Sequence, residues 1–402
     1  MGFLLREAEG ASTPMLPLAL GFQRNLLVTD LSLINEGPLC AGNLYVPPSS
    51  SEFFAPIEID KNSLNHQIAK PKHGTSAEDC TEIINEITKE ILISFRKNIF
   101  SAYRHASFDC WTFSKLIAAQ STFMALFGTN SVADELSFAH NAAIVQYLKD
   151  SISLDIILRR VTNMQLKEHG NNNSLSCVKS EIIKLYSHRQ STNLSLYVQP
   201  TASFVTDITN IAISIYNTTA EALFWAIFAV AKSKYVRSII EKEADACLSL
   251  DGELNISRLH AAQATKCLTL EVIRLAPTRN IILFETKIGF KLGDNEIKAG
   301  DKLIISPHTI FRARRYFVDA DEMRIGRKYN ANLSGIQYLA CGGKIVFRLV
   351  MLNIVLFLLD LAAAFELELV EGPSEFMAAP SFGNVRPDIK VRLNLRRSRL
   401  FR

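Results

Sequence analysis

From residue 76 onward the apolar positions recur mostly at helical spacing. Ser76 can cap a helix, Glu78 follows it, and Ile83, Ile84, Ile87, Ile91 and Ile93 form a stripe. The pattern predicts helix over 76–95 and again over roughly 111–127, 131–150, 152–168, 175–187, 205–233, 234–247 and 258–275. Gly170-Asn171-Asn172-Asn173-Ser174 breaks the series. Past residue 279 the period changes. Asn280 to Phe284, Phe290 to Leu292 and Asp301 to Ile305 are short apolar runs bounded by Gly or Asp, and they predict strands. Residues 313–335 show little periodicity and read as coil. Helix returns over 345–363. Strict alternation over Glu366 to Val370 and Ile389 to Leu395 predicts a terminal strand pair. The expected fold is mainly α with a small β portion, one domain over 1–402, with 1–59 irregular.

The run Ile345 to Phe365 is apolar enough to suggest a membrane span. Arg348, Asn353 and Asp360 within it are expensive in lipid, so it reads as a buried core helix and no transmembrane segment is expected. Composition agrees with a large packed core: 48% of the 402 residues are hydrophobic and 21% charged. The net charge of +4 is spread out except for four arginines in Arg396 to Arg402, so nucleic acid is not an expected partner. That tail reads either as a solvated terminus or as a contact for phosphate or an acidic partner. Seven cysteines with no C-x-x-C argue against a disulfide framework or a zinc site and suit a reducing, intracellular compartment. The histidines show no metal spacing, and His308 reads as a packed core residue. There is no P-loop, Gly-x-Gly-x-x-Gly or nucleophile elbow.

Three segments carry candidate chemistry. Glu271-Val272-Ile273-Arg274 places opposite charges three apart on one helix face, inside an otherwise apolar run that ends at Pro277. A buried pair of this kind needs its other hydrogen bonds met, and Arg327 could meet them. Asn217, Thr218, Thr219 and Glu221 interrupt the apolar helix around Ile211 to Ala231. Cys341-Gly342-Gly343 precedes the long apolar run, and glycines there would let backbone N–H groups approach a sulfur.

Glu271, Arg274, Arg327 and Cys341, in that order, resemble the haem-thiolate monooxygenases, the cytochrome P450 family. The distal helix resembles the branch containing steroid 7- and 12-hydroxylases, prostacyclin synthase and fungal relatives. Its pattern is Ala-Asn-Thr-x-Pro-Ala-x-Phe-Trp. Asn217, Thr218, Phe224 and Trp225 match, whereas Tyr216, Ala220 and Glu221 depart from it. Leu126-Phe127-Gly128 and Phe365 to Gly372 also resemble family segments.

The resemblance implies a helical prism with a small sheet, N-terminally shortened against full-length members, which carry a membrane helix. It implies haem iron bound through Cys341, with Gly343 in the same loop. Asn217 and Thr218 would order oxygen and water, and Glu271, Arg274 and Arg327 would lock the cysteine segment. Two alignments of that segment stay open. In one Cys341 is the ligand, with Ser334, Gln337 and Leu339 departing from the family pattern. In the other Tyr338 to Lys344 is the front of the loop and the ligand position is missing. The implied activity is monooxygenation of an apolar molecule such as a sterol, terpenoid or other secondary metabolite, with an NADPH-dependent reductase as electron donor and an endoplasmic-reticulum association. The alternatives are a catalytically impaired or haem-free relative with a binding or scaffold role, and a reductase-independent isomerase.

Overall fold

The computed structural model of the chain describes residues 15–18, 24–34, 44–45, 91–93, 95–127, 202–249, 253–286, 288–329, 334–373 and 387–396. The helices expected over 131–150, 152–168 and 175–187, and most of that over 76–95, lie outside these residues. In chain order the elements begin with β1 (Met15–Leu18), β2 (Asn25–Val28), α1 (Leu31–Ile34) and β3 (Leu44–Tyr45). Then come α2 (helical at 91–93 and 95–103), β4 (Phe108–Asp109), α3 (Cys110–Phe127), α4 (Ala202–Lys232) and α5 (Lys234–Cys247). A 3-10 turn at Ile256–Ala261 leads to α6 (Gln263–Leu275). The remaining elements are β5 (Ile282–Thr286), β6 (Phe290–Leu292), β7 (Asn295–Ile297), β8 (Lys302–Ile305), α7 (Pro307–Phe311), α8 (Ser334–Cys341), α9 (Lys344–Ala364), β9 (Phe365–Glu371) and β10 (Lys390–Leu395).

The chain packs as two compact units, one drawn from Met1–Lys70, Leu270–Arg348 and Glu375–Arg386, the other from Pro71–Thr269, Leu349–Ser374 and Pro387–Arg402. The first holds a five-stranded sheet in the order β1-β2-β8-β5-β3. Strands β2 and β8 run parallel and the other pairs antiparallel. Leu26 and Val28 of β2 face one apolar cluster with Ile282, Phe284, Leu303 and Ile305, whereas Leu27 and Ile304 face another with Leu18. Both central strands are covered on both faces, so their sequences run apolar without alternation. That is why β2, which lacks the Gly300-Asp301 turn that marked the start of β8, did not stand out in the sequence. Pro17, which has no N–H to offer a ladder, sits in β1 at one end of the strand order.

The second unit is built on α4. It packs against α3, α5 and β9. Phe224, Trp225 and Phe228 on α4 are fully buried, and Trp111 meets Phe224 edge to face at 5.7 Å. Strand β10 lies between β4 and β9. Phe365, Leu367, Val391 and Leu393 point inward, which accounts for the alternation in both β9 and β10.

Helix α9 is the one candidate membrane span among the described residues, with a mean hydropathy of 2.2 over Val346–Ala364. Its side chains from Asn353 to Ala363 are buried in the structure, a property it shares with core helices. Its acidic residue is paired: Arg96 Nε donates to Asp360 Oδ1 at 3.1 Å, and Arg96 Nη1 reaches Glu253 at 3.3 Å. Burial pushes the Asp360 carboxyl above its ordinary value, and the charge of Arg96 opposes this. A carboxyl raised in this way favours the fold when protonated, so its contribution is largest below the unfolded value of 3.8 and is lost as pH rises through the raised folded value. Arg96→Ala would leave a buried carboxylate unpaired. It should cost about 2 kcal/mol in urea denaturation, less than a fully buried pair because Arg96 is one-third exposed. Adding Asp360→Asn should restore most of that loss, and a double variant no more stable than Arg96→Ala would rule out the pair as the cause.

Candidate functional site

The densest polar constellation among the described residues of the first unit starts on α6. The helix is started by Glu243, whose carboxylate accepts from the backbone N–H groups of Ala264 and Thr265 at 2.7 and 2.8 Å. A carboxylate there satisfies two orphan donors and matches the positive end of the helix dipole. Two turns further on, Glu271 and Arg274 share a face. Both are buried, at 0% and 1% side-chain exposure.

The Glu271 carboxylate accepts five hydrogen bonds. Oε1 takes Arg274 Nε at 2.8 Å, Arg327 Nε at 2.9 Å and the Tyr329 hydroxyl. Oε2 takes Arg274 Nη2 at 2.9 Å and the Arg324 backbone N–H at 2.9 Å. Arg274 is equally saturated. Its remaining donors go to the carbonyls of Phe311 at 3.0 Å, Ala320, and Glu322 at 2.9 Å. Arg327 donates further to the carbonyls of Val318, Asp319 and Glu322. Phe317 lies beneath both cations, 5.2 Å from the Arg274 guanidinium and 5.9 Å from that of Arg327. The stretch 313–329 has almost no regular structure of its own. Its carbonyls are held by arginine donors instead. Arg312 extends the arrangement by donating to the carbonyl of Leu275 at 2.9 Å and to Asp321 at 2.7 Å.

Burial alone would raise the Glu271 carboxyl. The hydrogen bonds and charge of Arg274, then Tyr329 and the Arg324 N–H, outweigh it and hold the carboxyl below its ordinary value. Burial and the neighbouring Glu271 push the Tyr329 hydroxyl up, so it stays a donor.

Glu271, Arg274 and Arg327, singled out in the sequence, therefore meet in one network. Tyr329, Phe317 and the Arg324 N–H were not singled out. Tyr329 lies two residues after Arg327, but nothing in the pattern showed which residues of an irregular stretch turn inward.

Cys341 is the last residue of α8 and is fully buried. Gly342 and Gly343 follow at φ 93° and 133°, backbone conformations that favour glycine. The Gly343 N–H donates to the Tyr338 carbonyl at 2.7 Å, and the Gly342 N–H to that of Leu339 at 3.1 Å. These two bonds make a Schellman motif, the closure of a helix C-terminus. Helix α9 begins at Lys344, and the Phe347 N–H already donates to the Gly343 carbonyl at 3.0 Å. The stretch expected to be coil through residue 335 and then a glycine-rich turn is instead a helix, a two-glycine link and a second helix. Burial pushes the Cys341 thiol up to about 12, and the half-buried Arg279 guanidinium draws it back down. Arg279 is itself lowered to about 10 by burial, with Cys341 opposing. As placed, Cys341 does not fit a thiolate that binds iron: both glycine N–H groups hold carbonyls, and the helix dipole presents its negative end.

Ser306 caps α7 by accepting from the Thr309 N–H at 3.2 Å, and its hydroxyl donates to the Asn280 carbonyl at 2.9 Å. His308 on that helix is buried, and its Nδ1 has no hydrogen-bond partner. Burial, then the charge of Arg312, lowers the ring to about 4, so it is neutral near pH 7.

In the second unit, Asn217 and Thr218 lie side by side on α4. Thr218 is buried and Asn217 exposed. Tyr216, Ala220 and Glu221, the departures from the distal pattern, are all buried. Glu221 accepts from Trp225 Nε1 one turn on, at 3.1 Å.

Replacing Glu271 with Ala should cost roughly 3–5 kcal/mol and yield insoluble protein, because two guanidiniums lose their carboxylate. With the carboxyl lowered in the folded state, its contribution is present above the unfolded value of 4.5 and lost as pH falls through the folded one. A soluble Glu271→Ala variant with unchanged denaturation would sink this account. Gly342→Ala should cost about 1–2 kcal/mol, since a Cβ is strained at positive φ, and thermal unfolding reads this directly.

No family model matches the chain. Among curated proteins, cytochrome P450 4V2 of Mus musculus is 23% identical over 121 residues, covering 30% of this chain. The match spans 23% of that protein's length. Among solved structures, a zebra fish cytochrome P450 determined with abiraterone superposes with a TM-score of 0.69 at 15% identity, over 98% of both chains. With that coverage and TM-score, the chain has the cytochrome P450 fold.

Proposed function

We propose that this chain is an oxidoreductase of the cytochrome P450 type, in line with the haem-thiolate monooxygenases, and that it oxidises an apolar small molecule. The observation that carries the reading is the Glu271–Arg274–Arg327 network in a chain with the cytochrome P450 fold. The curated match to a cytochrome P450 supports it from sequence. When bound, haem would supply oxygen activation. Asn217 and Thr218 on α4 are the residues proposed to order oxygen and water, and an NADPH-dependent reductase is the proposed electron donor. A sterol, terpenoid or other secondary metabolite is the substrate class proposed from the same likeness. An association with the endoplasmic reticulum is proposed from the same likeness.

One specific set of observations favours a second reading, a catalytically impaired or haem-free relative. Cys341 closes a helix, Asn217 is exposed, and buried Tyr216 and Glu221 occupy the distal helix where the family pattern has alanines.

The purified full chain should take up haem in a stoichiometric Soret titration. With reductase, NADPH and a sterol panel it should form a product carrying one added oxygen. Absence of haem uptake by a folded chain would exclude the first reading. Uptake without any product under these conditions would favour the second.

A further inference from the structure

We infer that Cys341 is a structural thiol built into the α8–α9 junction, and that a thiolate–iron bond through it is not part of this chain's folded state. The inference rests on the cytochrome P450 likeness, which gives Cys341 its expected role, and it sides with the second, catalytically impaired reading above.

Three observations point the same way. The first is the position of the residue. Cys341 ends α8, where carbonyl groups and the negative end of the helix dipole gather. Reactive or metal-binding thiolates are stabilised in electropositive surroundings, such as the opposite end of a helix. The second is hydrogen bonding. A thiolate ligand is held by backbone N–H donors brought close by glycines. Gly342 and Gly343 are present here, but their N–H groups go to the carbonyls of Leu339 and Tyr338. Freeing either donor would reopen the last turn of α8. The third is the length of the link. Only these two residues separate α8 from α9, and the Gly343 carbonyl already belongs to the first turn of α9. Tyr338 and Phe347 pack edge to face across the link at 5.3 Å, joining the two helices on either side of it. Cys341 therefore cannot swing into a loop without breaking two hydrogen bonds and an aromatic contact.

Full burial favours the neutral thiol, and the Arg279 guanidinium opposes this without reversing it. Among the described residues no group of three or more His, Cys, Asp or Glu side chains could hold a metal ion elsewhere. Of the two alignments open in the sequence, this geometry favours the one in which Tyr338 to Lys344 is the front half of the loop and the ligand position is missing. The buried Glu271 network is then kept for the fold it organises, independently of an iron ligand.

The test uses the full chain, as wild type and as Cys341→Ala, titrated with ferric haem, then reduced and exposed to carbon monoxide. The expected result is the same haem affinity for both proteins and the same spectrum, without the red-shifted Soret band of a thiolate ligand. A red-shifted band in wild type that disappears in Cys341→Ala overturns the inference. No haem uptake by folded wild type overturns the haem-dependent reading of the function while leaving the inference standing. Haem uptake with an unshifted band keeps haem binding and supports the inference. A second readout covers the case in which Cys341→Ala does not fold. Tryptic mapping of the native wild type after treatment with a maleimide should leave Cys341 unlabelled, and labelling should appear only in urea. Labelling at the rate of a small free thiol in native buffer overturns the inference.

Discussion

A carboxylate with no exposed surface accepts five hydrogen bonds, and the irregular stretch 313–329 is organised around it. Glu271 could not be buried alone, since an unpaired charge in a low-dielectric interior is far too costly. Two guanidiniums and a phenol compensate it. Those guanidiniums in turn bind the carbonyls of Phe311, Val318, Asp319, Ala320 and Glu322. A segment without a backbone ladder thus has its polar groups satisfied by side chains. Phe317 beneath both arginines excludes water from the pair, which strengthens each contact.

The sheet beside this network is covered on both faces. Apolar side chains of β2 and β8 alternate between two clusters, one on each face of the sheet. Helix α7 follows β8 after one residue, pinned by Ser306, and places His308 in a dry setting where it stays neutral. In the helical unit, α4 takes the corresponding central position, with its aromatic residues in edge-to-face contact with one another and with Trp111. The same helix carries buried Tyr216, Thr218, Thr219 and Glu221, and buried polar groups in an apolar helix mostly find partners, although the Thr219 hydroxyl has none. Trp225 provides one for Glu221.

The cysteine segment is where local chemistry and the family likeness part. Gly-Gly after a short helix is a strong helix-stop signal, and the chain obeys it. The local preference and the global fold agree on a closed junction. The conflict is only with the chemistry that the likeness leads one to expect there.

Helix positions from 202 to 275, the α9 helix and the β9–β10 pair were legible because long periodic stretches and strict alternation need no knowledge of neighbours. The Glu271–Arg274 spacing was legible for the same reason, as residues three apart on a helix must share a face. Strand β2 was not, because a doubly covered strand loses alternation and looks like any short apolar run, and edge strand β1 carries Pro17, which weakens a strand pattern. Neither was the role of Tyr329 or Phe317, since an irregular backbone gives no rule for which side chain turns inward. At Cys341 the residues were in view, but two alignments fitted them equally. Only the tertiary structure decided that the glycine N–H groups go to helix carbonyls, because hydrogen-bond donors are assigned by three-dimensional distance and direction, which a linear order of residues does not contain.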